Sequence, residues 1–184
     1  MAEELLAMAD VEKYYRAIHI MAMLVLGFGF LMVFVRKYGR STLTATYLLV
    51  SVSIPLYYLM DSLEILGGVD SDIDRLILAE FAAAGLLICA GAVLGRLKMY
   101  QYLLLGLLFV PVFKFNEWIL LSGGLGLVEE GSFVDTGGSI VIHSFGALFG
   151  IAVAWFMTTM EEYEIPVETD ETSDRFSLLG SMVL

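Results

Sequence analysis

Five apolar runs divide this chain, and each is about long enough to cross a hydrocarbon core roughly 30 Å thick as a helix of about 20 residues. They cover residues 19–35, 41–60, 76–94, 100–124 and 137–160, and a sixth begins at Phe176 and stops at Leu184. The expected fold class is therefore all-α integral membrane, with five transmembrane helices plus the start of a sixth. A hydrophobic content of 59% and a mean hydropathy of +0.82 belong with that class rather than with soluble domains. Pro55 and Pro111 fall inside the second and fourth runs, where a kink is tolerable in lipid.

Basic residues then assign sides, because Lys and Arg collect in cytoplasmic turns. Arg36, Lys37 and Arg40 follow the first run, Arg96 and Lys98 follow the third, and Arg175 precedes the sixth. Lys13, Arg16 and Arg75 lie on the other side among many acids. This alternation predicts an N-terminus outside and a cytoplasmic segment after the fifth run. That segment, residues 160–175, is acidic, contains Pro166 and lacks apolar periodicity. It reads as a solvated linker, with a regulatory docking site as the alternative.

Charge and composition also exclude function classes. A formal net charge of -11 argues against nucleic-acid binding and against a polybasic lipid-binding surface. The single cysteine, Cys89, permits no intrachain disulfide and predicts no metal cluster. The N-terminal residues 1–17 are mixed and acidic and do not read as a signal peptide. Only two histidines exist, far apart, with no HExxH spacing, paired cysteines or Gly-rich phosphate loop, so no enzyme and no cofactor are expected.

The segment DTGGSIVIHSFGALFG, Asp135 to Gly150, places one acid, a glycine pair and one imidazole in an otherwise charge-free run. A helix starting just after Asp135 would carry His143 about 12 Å along its axis at about 1.5 Å per residue, near mid-membrane. An ionisable group there marks a polar pathway, or else it is hydrogen-bonded between packed helices. Asp135 fits a helix N-cap, accepting from the N–H groups of Gly137 and Gly138. Gly146, Gly150 and Ala154 recur at four-residue spacing, which suits close helix packing or leaves room for a narrow conduit.

Two carboxylates, Glu80 and Glu117, lie in the outer halves of the third and fourth runs. Both could attract cations to an outer vestibule. The structural alternatives are a solvated Glu80 near the surface and a Glu117 paired along its helix with Lys114, three residues earlier. Phe81, at the outer start of the third run, reads by position as an interfacial aromatic.

Four stretches resemble a family in consistent order. GFGFLMVFVRKYGRS (Gly27–Ser41) looks like the end of the first core helix and the following turn of Rhesus-type ammonia channels. AEFAAAGLLICAGAVLGRL (Ala79–Leu97) resembles their third helix, FNEWILL (Phe115–Leu121) the end of the fourth, and DTGGSIVIHSFGALFG the fifth. The Ser-Phe-Gly after the histidine favours the Rhesus branch over the bacterial branch of the ammonium transporter superfamily. The resemblance runs from about Tyr14 to Leu184.

That resemblance implies an inverted five-plus-five helical repeat, of which residues 1–184 form the N-terminal half, assembled as a homotrimer with one pore per subunit. Two pore histidines are implied, and His143 matches the first. Phe81 matches a phenylalanine that narrows the outer mouth, and Asp135 matches the acid that opens helix five. The implied function is a transmembrane channel for ammonia or ammonium, with the lipid bilayer as its setting. The alternative is a non-transporting membrane fragment or an ammonium sensor. The second histidine and second phenylalanine have no counterpart in this sequence, and His19, at the outer end of the first run, cannot substitute. A partial reading frame is the expected explanation, and pairing with a second repeat on another chain is the other.

The chemistry suits the implied substrate. A narrow apolar conduit costs an ion far more than a neutral molecule, so it selects ammonia, or ammonium that yields its proton. A neutral imidazole both donates and accepts a hydrogen bond, which fits a relay.

Overall fold

A computed structural model of the chain describes residues 2–34, 39–159, 161, 164 and 168–184. Helix α1 runs from Ala2–Ala22 and continues through a π-helical turn (Met23–Phe28), a short α-helical turn (Gly29–Leu31) and a 3-10 turn (Met32–Phe34). The apolar run at 19–35 is thus only the second half of a longer helix. Its first half is rich in Ala, Leu and Glu, which favour helix without raising hydropathy. His19 consequently lies inside α1 and not at the end of the span.

Helix α2 spans Gly39–Ser62 and α3 spans Asp72–Gly91. Helix α4 spans Met99–Leu121 and passes unbroken through Pro111, as α2 does through Pro55. A 3-10 turn (Thr136–Gly138) and a π-helical turn (Ser139–Ser144) lead into α5, Phe145–Met157. Helix α6 spans Glu171–Val183.

Capping shifts two of the predicted boundaries. Helix α3 starts at Asp72, earlier than the apolar run, because the Ser71 hydroxyl accepts from Asp74 N–H at 3.5 Å and acids fill the first turn. The helix expected from Phe176 starts at Glu171, so the end of the predicted linker is helical. There the Asp170 carboxylate accepts from Ser173 N–H at 2.8 Å. Arg36, Lys37 and much of the linker between Met160 and Val167 lie outside the described residues.

Among the described residues, four stretches are long and apolar enough to cross a membrane: Asp10–Phe34, Ser41–Ser62, Met99–Leu121 and Thr136–Met157. Helix α3 is the exception in composition, carrying Asp72, Asp74, Arg75 and Glu80. It is also the centre of the bundle, packed against α1, α2, α4 and α5. Small residues make that position possible. A Cβ on Gly146 would lie 2.6 Å from the Gly85 carbonyl, and one on Gly150 would lie 3.0 Å from the Cys89 carbonyl. The α3 and α5 backbones therefore touch, and the Gly146–Gly150 row serves helix packing.

Four rings, Phe109, Phe113, Phe145 and Phe149, fill the space where α4 meets α5, with centroids 5.1 to 5.9 Å apart. Helix α6 docks on the far half of α1. Phe176 stacks on Phe30 at 5.6 Å, Ser177 Oγ donates to the Leu31 carbonyl at 2.6 Å, and Gly180 lies against the backbone of Gly27 and Leu31.

Candidate functional site

Two cavities meet at one aromatic side chain. The first, about 360 Å³, is lined by Phe81, Phe113, Glu117, Asp135, Gly138 and Val141, among others. The second, about 370 Å³, is lined by Leu24, Phe28, Phe81, Ala84, Ile142 and His143, among others. Phe81, Gly137 and Ile142 line both, so they form the shared wall. Helix α3 aims Phe81 at this junction because the next residues, Ala82 and Ala83, are fully buried against neighbouring helices.

The turn that delivers His143 differs from the expectation in register. Gly137 and Gly138 both adopt left-handed φ, +67° and +68°, which side chains disfavour, and insert an extra turn before the helix. The Asp135 carboxylate therefore skips their N–H groups. It accepts from Ile140 N–H at 3.0 and 3.1 Å and from Val141 N–H at 2.8 Å. The capping function stands, and its donors lie one turn later than predicted. A Cβ on Gly138 would also come within 2.4 Å of the Ile142 Cδ1 methyl, which would have to move aside.

His143 falls in the π-helical turn that follows. Such widened turns free carbonyls from the regular ladder, and here Asn116 Nδ2 of α4 donates to the Val141 carbonyl at 3.3 Å. The other π-helical turn, Met23–Phe28, lines the same second cavity. His143 itself is exposed and makes no hydrogen bond among the described residues. It is not the packed, satisfied histidine of the structural alternative.

The two predicted vestibule carboxylates separate. Glu80 is fully buried, lines neither cavity, and has no hydrogen-bond partner on either oxygen among the described residues. This burial in the central helix sets aside the alternative of a solvated Glu80 near the surface. Glu117 is 7% exposed and lines the first cavity. Lys114 is indeed its neighbour, with Nζ 3.5 Å from Oε2.

Sequence reasoning missed Lys114's main partner. Asp61, at the end of α2, is fully buried and lies 2.6 Å from Lys114 Nζ. Its other oxygen accepts from Arg75 Nε at 2.9 Å and from Val69 N–H at 3.1 Å. Tyr57 donates to Glu117 and accepts from Lys114 at 3.0 Å, which completes a network across α2, α3 and α4. An acid just past an apolar run was the available signal, since an ionisable group at that depth needs a partner.

Long apolar helices around a charged central helix define a class: a multi-pass, all-helical integral membrane protein. The Ammonium Transporter Family matches residues 7–184, and the chain belongs to it. It is 36% identical to the ammonium transporter Rh type C of Bos taurus over 94% of this chain and 38% of that one. It is also 36% identical to the Rh type B transporter of Mus musculus over 95% of this chain and 39% of that one. The solved Nitrosomonas europaea Rh50 structure, described with the mechanism of conduction by the Rhesus family of channels, superposes with a TM-score of 0.90. Its identity is 52%, over 95% of this chain and 46% of the Rh50 chain. This chain thus spans less than half the length of each of these relatives.

Proposed function

We propose that this chain builds half of a Rhesus-type channel for ammonia or ammonium. In this reading α1 to α5 each cross the bilayer, with α3 as the fifth crossing helix that apolarity alone leaves out. The N-terminus faces outside and the segment after α5 is cytoplasmic. Residues 1–184 then represent one repeat of an inverted pair, assembled as a trimer, with a second repeat supplying the other pore histidine.

One observation carries the reading: Phe81 forms a wall between a cavity bearing Glu117 and Asp135 and a cavity bearing His143. The acidic cavity captures ammonium, the phenylalanine narrows the path, and the unpaired imidazole receives the solute beyond it. A neutral imidazole offers one donor and one acceptor to ammonia as it moves through an apolar passage. Because His143 is exposed in the turn before α5, complementary helices are needed to close the path.

The test is flux in liposomes. The 184 residues alone should give ammonia flux at background, and addition of a complementary repeat should raise it. His143→Ala should then change flux or selectivity per folded molecule, measured for ammonia against carbon dioxide. Unchanged flux and selectivity would sink the proposal, and ammonium binding without any flux would favour a sensor.

A further inference from the structure

We infer that Lys114, acting through the Tyr57 hydroxyl, is a positioning residue that holds Glu117 ready to accept an ammonium-class cation in the first cavity. The inference rests on the capture reading above and adds the group that sets the acceptor's geometry.

The direction of the hydrogen-bond chain follows from counting protons. A lysine ammonium has three donors and no acceptor, and a phenol has one proton to give. Lys114 Nζ donates to Asp61 Oδ1 at 2.6 Å and to Tyr57 Oη at 3.0 Å. Tyr57 therefore turns its only proton to Glu117 Oε2. Glu117 Oε2 is thereby occupied. Oε1 has no partner among the described residues, while the side chain lines the cavity shared with Asp135.

Lys114 is itself anchored. Arg75 holds the other oxygen of Asp61, and Asp72 holds Arg75 at 2.7 Å. Asp61, Asp72 and Glu117 set against Lys114 and Arg75 leave the network one net negative charge. Lys114 and Glu117 are 5% and 7% exposed, so water competes little for these bonds. The Asp61–Arg75 pair already joins α2 to α3, so the Tyr57 bond is not required for that contact.

The test uses the whole chain in liposomes, titrated with ammonium chloride at constant pH and ionic strength, and follows the carboxylate stretch by infrared difference spectroscopy. The parent should show a saturable change that Glu117→Gln loses. Tyr57→Phe keeps the ring beside Phe113, 6.4 Å between centroids, and removes only the hydroxyl. It should raise the half-saturating ammonium concentration about fivefold, the worth of one hydrogen bond of about 1 kcal/mol. Lys114→Met also removes the charge 3.5 Å from Oε2, which by itself favours a bound cation, so the coupling is read from the double variant: Tyr57→Phe should shift the titration less in the Lys114→Met background than in the parent. Should Lys114→Met not fold, the Tyr57→Phe titration decides. If Tyr57→Phe titrates like the parent while Glu117→Gln loses the signal, or if the two shifts multiply, the inference is overturned and capture by Glu117 stands. If Glu117→Gln titrates like the parent, capture falls and the inference with it.

Discussion

Lys114 and Asp61 form a 2.6 Å ion pair between α4 and α2, with Asp61 wholly removed from solvent. Both are charged residues set against apolar neighbours, and the pair ties α2 to α4, the helix that supplies Phe113 and Glu117 to the first cavity. Its energetics are asymmetric. A buried pair gains little over an apolar isostere, but breaking it strands a charge.

Asp61→Asn should therefore cost about 3–5 kcal/mol, the usual loss on breaking a buried pair. Replacing both partners by apolar residues should cost much less than the sum of the two single losses. Denaturation of the chain in detergent, run as a double-mutant cycle, measures the difference. Additive losses would mean the pair is not coupled.

His143→Ala and Asp135→Ala should diverge. His143 is exposed and makes no hydrogen bond among the described residues, so its loss should leave stability within about 0.5 kcal/mol of the parent. Asp135 caps the turn before α5, and losing a cap costs about 0.5–2 kcal/mol. The yield of folded protein should fall for Asp135→Ala alone. Equal yields for the two variants would contradict the assignment.

Gly146→Ala should destabilise the bundle by about 1–3 kcal/mol through overpacking, since its Cβ would lie 2.6 Å from the Gly85 carbonyl. Ala147→Leu, one residue on at an exposed position, should be tolerated. Thermal unfolding of both variants in one detergent checks the contrast.

Asp70 and Thr172 are exposed, and the proposed topology sets them on opposite sides of the membrane. Cysteines placed there should react with an impermeant thiol reagent from opposite sides. Cys89 is fully buried and should stay silent, so it need not be removed. Labelling of both from one side would reject the topology.

Asp74, ahead of the apolar run of α3, accepts from Lys13 Nζ at 2.6 Å, and this neighbour holds its carboxyl below the ordinary carboxylate range. A pKa depressed in the folded state contributes stability above the unfolded value, about 3.9, and loses it as pH falls through the folded value. Acidification below about pH 4 should thus lower the parent's Tm more than that of Asp74→Asn. Both side chains are about one-third exposed, at 35% and 34%, so the effect should stay below about 1 kcal/mol.

Much of the architecture was legible without coordinates, because lipid leaves a chain few options. Backbone groups must pair within the segment, so a long apolar run reads as a helix. Segments 41–60 and 100–124 lie within a few residues of α2 and α4. The boundaries that moved did so where polar side chains cap helices, at Ser71 and Asp170. The family resemblance was also legible, since DTGGSIVIHSFGALFG keeps its acid, glycines and histidine together.

By itself the sequence determined the class and most of the helix-forming segments, and it singled out Asp135, Phe81, His143 and Glu117, which line the two cavities. Those follow from hydropathy, spacing and motif, which are properties of the chain in order. Only the tertiary structure decided which groups meet. It buried Glu80 in the central helix, turned Lys114 away from a simple pairing with Glu117 toward Asp61, and left His143 exposed. The physical reason is distance in sequence. Asp61 and Lys114 lie on different helices, and no local periodicity records how α2 and α4 rotate about their axes to pack on α3.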